Sequence, residues 1–280
     1  FNFDSGRVDI GSHPTILASS PEDVRVVNSF AEDDFWGGIF NILHCGGRGI
    51  YQQSISKELM GTLLAEVPSF AVEEAIGRLY ENIIGRSEAF ISLIFPKIKE
   101  LFPEQFENVS AHDFYLAVNK AEPSLIRTEA DELTYSMHIM IRYEIEKRLM
   151  DGSLSTKDLP NEWNRLYKEY LGIDVPCDSM GCLQDSHWSG GALGYFPSYS
   201  LGSAYGAQFL HKMKQDIDID KLVSENRIDE VTAWLTEKIH KYGMLLTPAQ
   251  LIKNACGEEF NADYYIEYLT EKYNKIYDLK

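Results

Sequence analysis

Residues 44–48 read His-Cys-Gly-Gly-Arg, and the types and spacing of these side chains suggest a chemical site. Residues four apart on an α-helix lie on the same face. Zinc sites of the H-E-x-x-H type use this spacing for two histidine ligands, with the glutamate between them as general base. Here His44 occupies the first ligand position, Cys45 the base position and Arg48 the second ligand position. The pattern predicts a helical metal-site framework from which most of the metal chemistry has been removed.

The segment that carries these residues is predicted to be a helix. Apolar side chains recur at helical spacing between Phe35 and Leu43, immediately before His44. Gly46, Gly47 and Gly49 follow within one turn, and each costs a helix about 1 kcal/mol relative to alanine. We expect these glycines to allow close packing against another backbone, which would also suit a crowded active-site helix.

The remaining pattern predicts a mostly α domain over residues 1–280, with a small β-sheet near the N-terminus. Alternating valines before residue 28 indicate strands. One helix is predicted over 68–102 with a kink or break at Pro96, and the longest over 123–150. Residues 173–196 have little periodicity and predict a long loop, which in a compact domain is often functional. Helices from Pro197, near 225–241, from Thr247 and from Asn261 complete the chain.

The composition excludes two classes of partner. The chain has 43 acidic and 26 basic residues, a formal net charge of −17, whereas nucleic acids and anionic membranes require a basic surface. No apolar run approaches the roughly 18 residues of a membrane span. Cys177 and Cys182 could form a disulfide, but free thiols and a cytoplasmic location are the interpretation we adopt.

Several motifs lie downstream of the His44 helix. Residues 126–131 read Ile-Arg-Thr-Glu-Ala-Asp, and residues 181–188 contain a G-x-x-Q-D-x-H-W pattern that continues into a glycine-rich segment ending at Pro197. Together with partial H-P-F and D-x-R-x-T motifs at His13 and Asp23, their order resembles that of the Taq-type metallocarboxypeptidases. The chain resembles the C-terminal part of these H-E-x-x-H zinc peptidases.

The resemblance implies a zinc or cobalt site, from which this sequence departs. In the family, a third ligand comes from an H-E-S-Q motif, which here becomes residues 73–76, Glu-Glu-Ala-Ile. His44 and Glu74 therefore remain as ligand positions, whereas Arg48 places a permanent cation where a ligand would lie. We predict that no metal is bound and that the Arg48 guanidinium occupies the metal position, paired with Glu74.

The substrate-binding residues implied by the resemblance are better retained. Arg127, Arg25 and His13 are the candidates for binding a peptide's terminal carboxylate, since arginine can do so bidentately. The alternatives are an ion pair between Arg127 and Asp131 on one helix and a cross-strand surface charge for Arg25.

Groups that could stabilise a tetrahedral oxyanion follow in the long loop and the helix after it. By the same resemblance these are His187, Tyr195 and Tyr199, although without an activated water there is no oxyanion to stabilise. A structural role for His187 within the loop is equally open.

The sequence leaves three functional hypotheses. The first is a degenerate metallocarboxypeptidase-like domain, catalytically impaired, that retains binding of peptide C-termini or of a partner. The second is an active metal-dependent carboxypeptidase with an unusual site that recruits Cys45 or His13. The third is a structural or dimerisation module. A homodimer is expected, and another polypeptide could supply the family's N-terminal half.

Overall fold

The computed structural model describes residues 1–279, which form two compact units. One unit comprises Phe1–Val118 together with the chain from Gly202 onward, and the other comprises Asn119–Leu201. The mostly helical fold with a small N-terminal sheet, as predicted, is confirmed. None of the described helices has the length and apolar character needed to cross a membrane.

The first unit begins with a three-stranded sheet of order β1-β3-β2. Its strands are β1 (Gly6–Ile10), β2 (Thr15–Ser20) and β3 (Asp23–Asn28), with β1 parallel and β2 antiparallel to β3. The central strand alternates as expected of a sheet with one covered face, because Val24 and Val26 are buried while Arg25 is exposed. The buried face of β3 lies against the first helix.

That helix, α1 (Phe35–Gln53), carries the His-Cys-Gly-Gly-Arg motif. Its three glycines at positions 46, 47 and 49 differ in how closely other residues approach them. A Cβ on Gly47 would lie 2.6 Å from the Tyr80 ring, and one on Gly49 would lie 3.1 Å from Val26, so both allow close packing. A Cβ on Gly46 would meet nothing within 4 Å. Gly47 and Gly49 do allow close packing, but the neighbouring atoms belong to side chains and not to another backbone, and Gly46 has no close neighbour.

The predicted helix over 68–102 is two helices. The first is α2 (Phe70–Arg78), which continues into a π-helical turn (Leu79–Ile84), and the second is α3 (Glu88–Leu101). The break lies before Ser87, whose side chain accepts a hydrogen bond from the Phe90 N–H and so begins a new helix. Pro96 lies inside α3 on an exposed face, where water can satisfy the carbonyl that proline leaves unpaired.

The first unit is completed by α4 (Ala111–Val118), which packs against α3, and by the C-terminal helices, which contribute to its largest apolar core. These helices are the end of α7 (Pro197–Asp216), then α8 (Ile219–Ser224), α9 (Ile228–Lys238), α10 (Pro248–Cys256) and α11 (Asp263–Tyr277).

The second unit contains α5 (Tyr135–Met150), α6 (Leu159–Leu171), the long loop and the start of α7 (Pro197–Asp216). The predicted helix over 123–150 begins only at Tyr135. Asp131 is the reason, because its carboxylate accepts hydrogen bonds from the backbone N–H groups of Leu133 and Thr134 and from the Thr134 hydroxyl. This local competition for backbone donors starts the helix late. Arg127 consequently lies in a short 3-10 turn rather than on α5.

Candidate active site

His44 lies between two carboxylates of the first unit. Its Nε2 is 3.3 Å from Glu74 Oε2 on α2, and its Nδ1 is 3.0 Å from Glu81 Oε2 in the π-helical turn. The ring fits against α2 because residue 77 is glycine, where a Cβ would come within 2.7 Å of the imidazole. Both ring nitrogens of His44 are thus committed to carboxylates of its own chain.

Arg48 pairs with Glu73, and the predicted pairing with Glu74 is wrong. The guanidinium Nη2 donates to Glu73 Oε2 over 2.8 Å, and Gln52 donates to the other oxygen of the same carboxylate over 3.2 Å. Glu74 instead accepts from Arg78 Nε over 2.9 Å. Adjacent helical residues point about 100° apart, so Glu73 and Glu74 reach different turns of α1. All of these side chains are largely buried.

The charges of this cluster shift the pKa values of its members. Burial acts to raise the Glu74 pKa, but the His44 and Arg78 charges outweigh it and lower the pKa to about 2. Burial acts to lower the His44 pKa, but Glu74 and Glu81 outweigh it and raise the pKa above its usual value. Burial raises the Cys45 pKa to about 11, so the thiol stays protonated at neutral pH. Cys45 is therefore unsuited to the role of a general base.

The residues of the cluster do not fit a catalytic zinc ion. Such an ion needs three protein ligands and an open position for water. Within residues 1–279, no group of three or more histidine, cysteine or carboxylate side chains is arranged to hold a metal. His44 and Glu74, the two remaining ligand positions, contact each other, and Arg48 brings a buried cation into the same cluster.

In the second unit, Arg127 is held by Asp185. Arg127 Nη2 and Nε lie 2.7 Å and 3.0 Å from Asp185 Oδ1, and Nη1 donates to the Tyr135 hydroxyl over 3.2 Å. Fully buried Arg142 pairs with the other Asp185 oxygen over 2.6 Å. The alternative pairing of Arg127 with Asp131 is therefore wrong, and the Asp131 carboxylate instead accepts hydrogen bonds from Leu133 and Thr134. The Arg127 guanidinium that was predicted to bind a substrate carboxylate is already engaged with an internal one.

His187, Tyr195 and Tyr199 do come together beside this ion pair. His187 Nε2 is 2.9 Å from the Tyr199 hydroxyl, and the rings of His187 and Tyr195 lie 5.6 Å apart. Burial and the nearby Arg127 charge lower the His187 pKa, which favours the neutral imidazole. Its buried Nδ1 has no hydrogen-bond partner among the described residues. The structure thus assembles these three predicted residues into one cluster, and their catalytic role stays a prediction.

The two N-terminal candidates lie on the exposed sheet region. Arg25 projects from β3 and bonds to Asp23 two residues earlier, with both contacts at 3.0 Å. This is an ion pair along one strand rather than across two. His13 is exposed in the turn between β1 and β2. The substrate-binding role predicted for Arg25 and His13 stays a prediction.

Several residues of these clusters were missed by sequence reasoning. Arg78 lies four residues after Glu74 and three before Glu81, a helical spacing that could have revealed both ion pairs. Glu146 had no such signal, since it accepts from the Trp188 indole over 2.9 Å across 42 residues of sequence.

The helical fold, the carboxylate-bound histidine on α1 and the loop motif define a metallopeptidase-like class, and comparison with known proteins specifies the family. Residues 1–273 match the family model of the carboxypeptidase Taq (M32) metallopeptidases. Over 278 residues the chain is 45% identical to Carboxypeptidase 1 of Bacillus subtilis (strain 168), covering 99% of this chain and 56% of that protein. It is 38% identical to Thermostable carboxypeptidase 1 of Thermus thermophilus, covering 99% and 54%.

Solved structures agree with this result. The M32 carboxypeptidase from Deinococcus radiodurans R1 superposes with a TM-score of 0.96 at 35% identity, covering 99% of this chain and 56% of that one. Trypanosoma cruzi Metallocarboxypeptidase 1 gives 0.93 at 35% identity, covering 98% and 57%. The chain belongs to the M32 carboxypeptidase family. It spans a little over half the length of the relatives that it matches.

Proposed function

We propose that this chain is an M32 carboxypeptidase-family domain in which an ion pair replaces the metal and which does not hydrolyse C-terminal peptide bonds. The proposal rests above all on the 2.8 Å contact between Arg48 and Glu73. Both residues depart from the family's motifs. Arg48 stands at the second histidine of H-E-x-x-H, and Glu73 stands at the histidine of H-E-S-Q.

The charges of these two replacements compensate each other. A histidine replaced by arginine adds a fixed positive charge, and a histidine replaced by glutamate adds a negative one. Either change alone would leave a buried ion without a partner, which typically costs about 3–5 kcal/mol. Together they make a cluster that needs no metal for charge balance. Cys45, with its raised pKa, supplies no base to activate water.

A direct test is hydrolysis of a blocked dipeptide in the presence of zinc or cobalt. The expected result is no release of C-terminal amino acid above background. The triple variant Cys45→Glu, Arg48→His, Glu73→His restores the family's residues at all three positions and serves as the matched comparison. Chelator-sensitive turnover by the unaltered chain would overturn the proposal.

The second candidate function is an active metal-dependent carboxypeptidase. The observation that favours it is the 45% identity to a protein named Carboxypeptidase 1. The same hydrolysis assay distinguishes the two functions, because an active enzyme would release the C-terminal amino acid without any of the three substitutions.

The residual function that we propose is binding without hydrolysis, with a peptide C-terminus as the ligand. Support comes from the His187, Tyr195 and Tyr199 cluster, which the second unit retains. A labelled peptide titrated against the chain and against Tyr199→Phe tests this, and equal affinity for an amidated peptide would argue against carboxylate recognition. A homodimer, a second polypeptide as partner and a cytoplasmic location stay predictions.

A further inference from the structure

Glu146 is a buried carboxylate of the second unit that is held without a cation. It lies on α5 and is 7% exposed. Within residues 1–279, its polar contacts are hydrogen bonds to two N–H groups of the long loop rather than an ion pair. Carboxylates are rarely buried unless a cation pairs with them. The position of Glu146 therefore needs an explanation other than charge balance.

The two N–H groups lie at opposite ends of one turn, residues 188–194. One carboxylate oxygen of Glu146 accepts from the Trp188 indole N–H over 2.9 Å, and the other accepts from the Gly194 backbone N–H. Gly194 has a φ of +71°, a conformation that glycine adopts without strain. Each oxygen thus serves one donor, and the carboxylate joins the two ends of the 188–194 turn.

The 188–194 turn separates two residues of the proposed peptide-binding cluster. His187 directly precedes the turn and Tyr195 directly follows it. The turn is compact, because the Ala192 N–H donates to the His187 carbonyl over 2.8 Å. The rings of His187 and Tyr195 lie 5.6 Å apart. The distance between these two rings therefore depends on the turn that Glu146 holds closed.

The chain on the other side of His187 is held by the same helix. Arg142 lies four residues before Glu146 and so on the same face of α5. It donates to Asp185 over 2.7 Å and to the Gln184 side-chain oxygen over 2.9 Å. α5 thus holds the loop both before and after His187. The contact after His187 differs in kind, because it requires two acceptor atoms and involves no opposite charge.

We propose that Glu146 is a positioning residue that fixes His187 and Tyr195 relative to each other by holding both ends of the 188–194 turn. The inference rests on the proposed function for its ligand, a peptide C-terminus. Glutamine cannot replace glutamate in this role. Its amide has one acceptor oxygen, so its NH₂ group would face one of the two N–H donors.

Glu146→Gln tests the need for two acceptors. In the ligand-free chain, the ¹⁵N signals of the His187 imidazole, assigned with His187→Gln, are expected to shift as its contact with Tyr199 changes. The affinity for a labelled peptide is expected to fall about tenfold. Glu144→Gln on the same helix is the matched control and should change neither readout. Its described contact is with the Tyr170 hydroxyl, for which one amide oxygen suffices.

Trp188→Phe provides a rescue. It removes the indole N–H, so the glutamine amide of the double variant can accept from Gly194 without facing a second donor. Glu146→Gln is therefore expected to shift the His187 signals less, and to weaken peptide binding less, in the Trp188→Phe background. The carboxylate charge is lost in both backgrounds, so the difference between them reports the donor conflict and not the charge.

Unchanged His187 signals in Glu146→Gln, or equal effects in the two backgrounds, would overturn the proposal. Absence of peptide binding by the unaltered chain would overturn the proposed function instead, and the His187 signals would then decide the positioning role by themselves.

Discussion

The α1 motif and the 181–188 loop motif both hold buried charged groups in ion-pair networks, but only the loop keeps the family's residues. In the loop, Asp185 bridges two buried arginines, and Gln184 accepts from the Arg127 N–H and donates to the Leu125 carbonyl. Every one of these contacts holds the second unit together. In the α1 cluster, the two side chains at metal-ligand positions, His44 and Glu74, contact each other, and Glu74 also pairs with Arg78.

Under the proposed function, an intact loop motif accompanies a site without hydrolytic activity, so an intact motif does not by itself indicate activity. Gln184 and Asp185 have internal structural partners, because removing either side chain leaves a buried charge or a buried polar group unpaired. At positions 45, 48 and 73 this chain has cysteine, arginine and glutamate in place of the family's residues. The charges of Arg48 and Glu73 balance each other in an ion pair. Under the proposed function, the chain has lost metal chemistry at α1 while its loop motif stays unchanged.

The largest expected effect comes from Asp185→Asn. This change keeps the shape of the side chain but leaves Arg127 and Arg142 without a counter-charge, and it should lower the free energy of unfolding by about 4 kcal/mol. Urea denaturation monitored by circular dichroism measures it. Asp174→Asn, which removes an exposed pair with Lys168, is the control and should cost less than about 1 kcal/mol. A loss equal to that of the control would show that the loop network is not structural.

The next largest expected effect is the energetic coupling between Arg48 and Glu73 in the free energy of unfolding. We expect Arg48→Met and Glu73→Gln each to cost about 3 kcal/mol, because each leaves a largely buried partner charge. The double variant should cost less than the sum of the two, with a coupling energy of about 1–3 kcal/mol in a double-mutant cycle of urea denaturation. The same cycle with Glu74→Gln in place of Glu73→Gln should show weaker coupling. Additive costs for Arg48 and Glu73 would contradict the replacement of the metal by this pair.

His44 and His240 of the first unit should respond oppositely to pH. The folded-state pKa of His44 is raised, so its stabilisation is fully present below its unfolded pKa of 6.5 and is lost as pH rises through the folded value. Burial lowers the His240 pKa to about 3, so stability falls as pH drops below 6.5, by about 1.4 kcal/mol per pH unit.

Denaturation from pH 4 to 9 of the unaltered chain, His44→Gln and His240→Gln measures these two contributions. The stability advantage of the unaltered chain over His44→Gln should shrink toward high pH. Its advantage over His240→Gln should shrink toward low pH. Parallel curves for the two variants would indicate that His44 is not held by Glu74 and Glu81.

The smallest effect separates two neighbouring glycines of α1. Gly46→Ala should raise the free energy of unfolding by about 1 kcal/mol, because alanine is the better helix former and its Cβ meets open space. Gly47→Ala should lower it by about 1–3 kcal/mol, because its Cβ would lie 2.6 Å from the buried Tyr80 ring. Thermal unfolding compares the pair. Stabilisation by both changes would show that α1 does not pack closely against Tyr80.

The parts of the fold that the sequence predicted are those with local signals. Thr247 and Gln250 form the capping box that begins α10, and Gly257 ends it with a φ of +83°. The small sheet, the long loop and the mostly helical class follow from equally local patterns. The start of α5 was missed because Asp131 competes for backbone N–H groups, a contact that helical periodicity does not register.

The candidate site was predicted only in part. His44 and Glu74 do meet, as the motif spacing implied. Which of two adjacent glutamates pairs with Arg48 depends on the rotation of α2 about its axis relative to α1, and no local pattern specifies that angle. The pairing of Arg127 with Asp185 joins positions 58 residues apart, so a sequence spacing of four could not reveal it.

The most direct test of the central claim is a calorimetric titration of the purified chain with zinc, repeated on Glu74→Gln. If the Arg48–Glu73 pair has replaced the metal, the two proteins should give the same heats and neither should bind one zinc ion per chain at this cluster. Binding of one zinc ion per chain that disappears in Glu74→Gln would contradict the account.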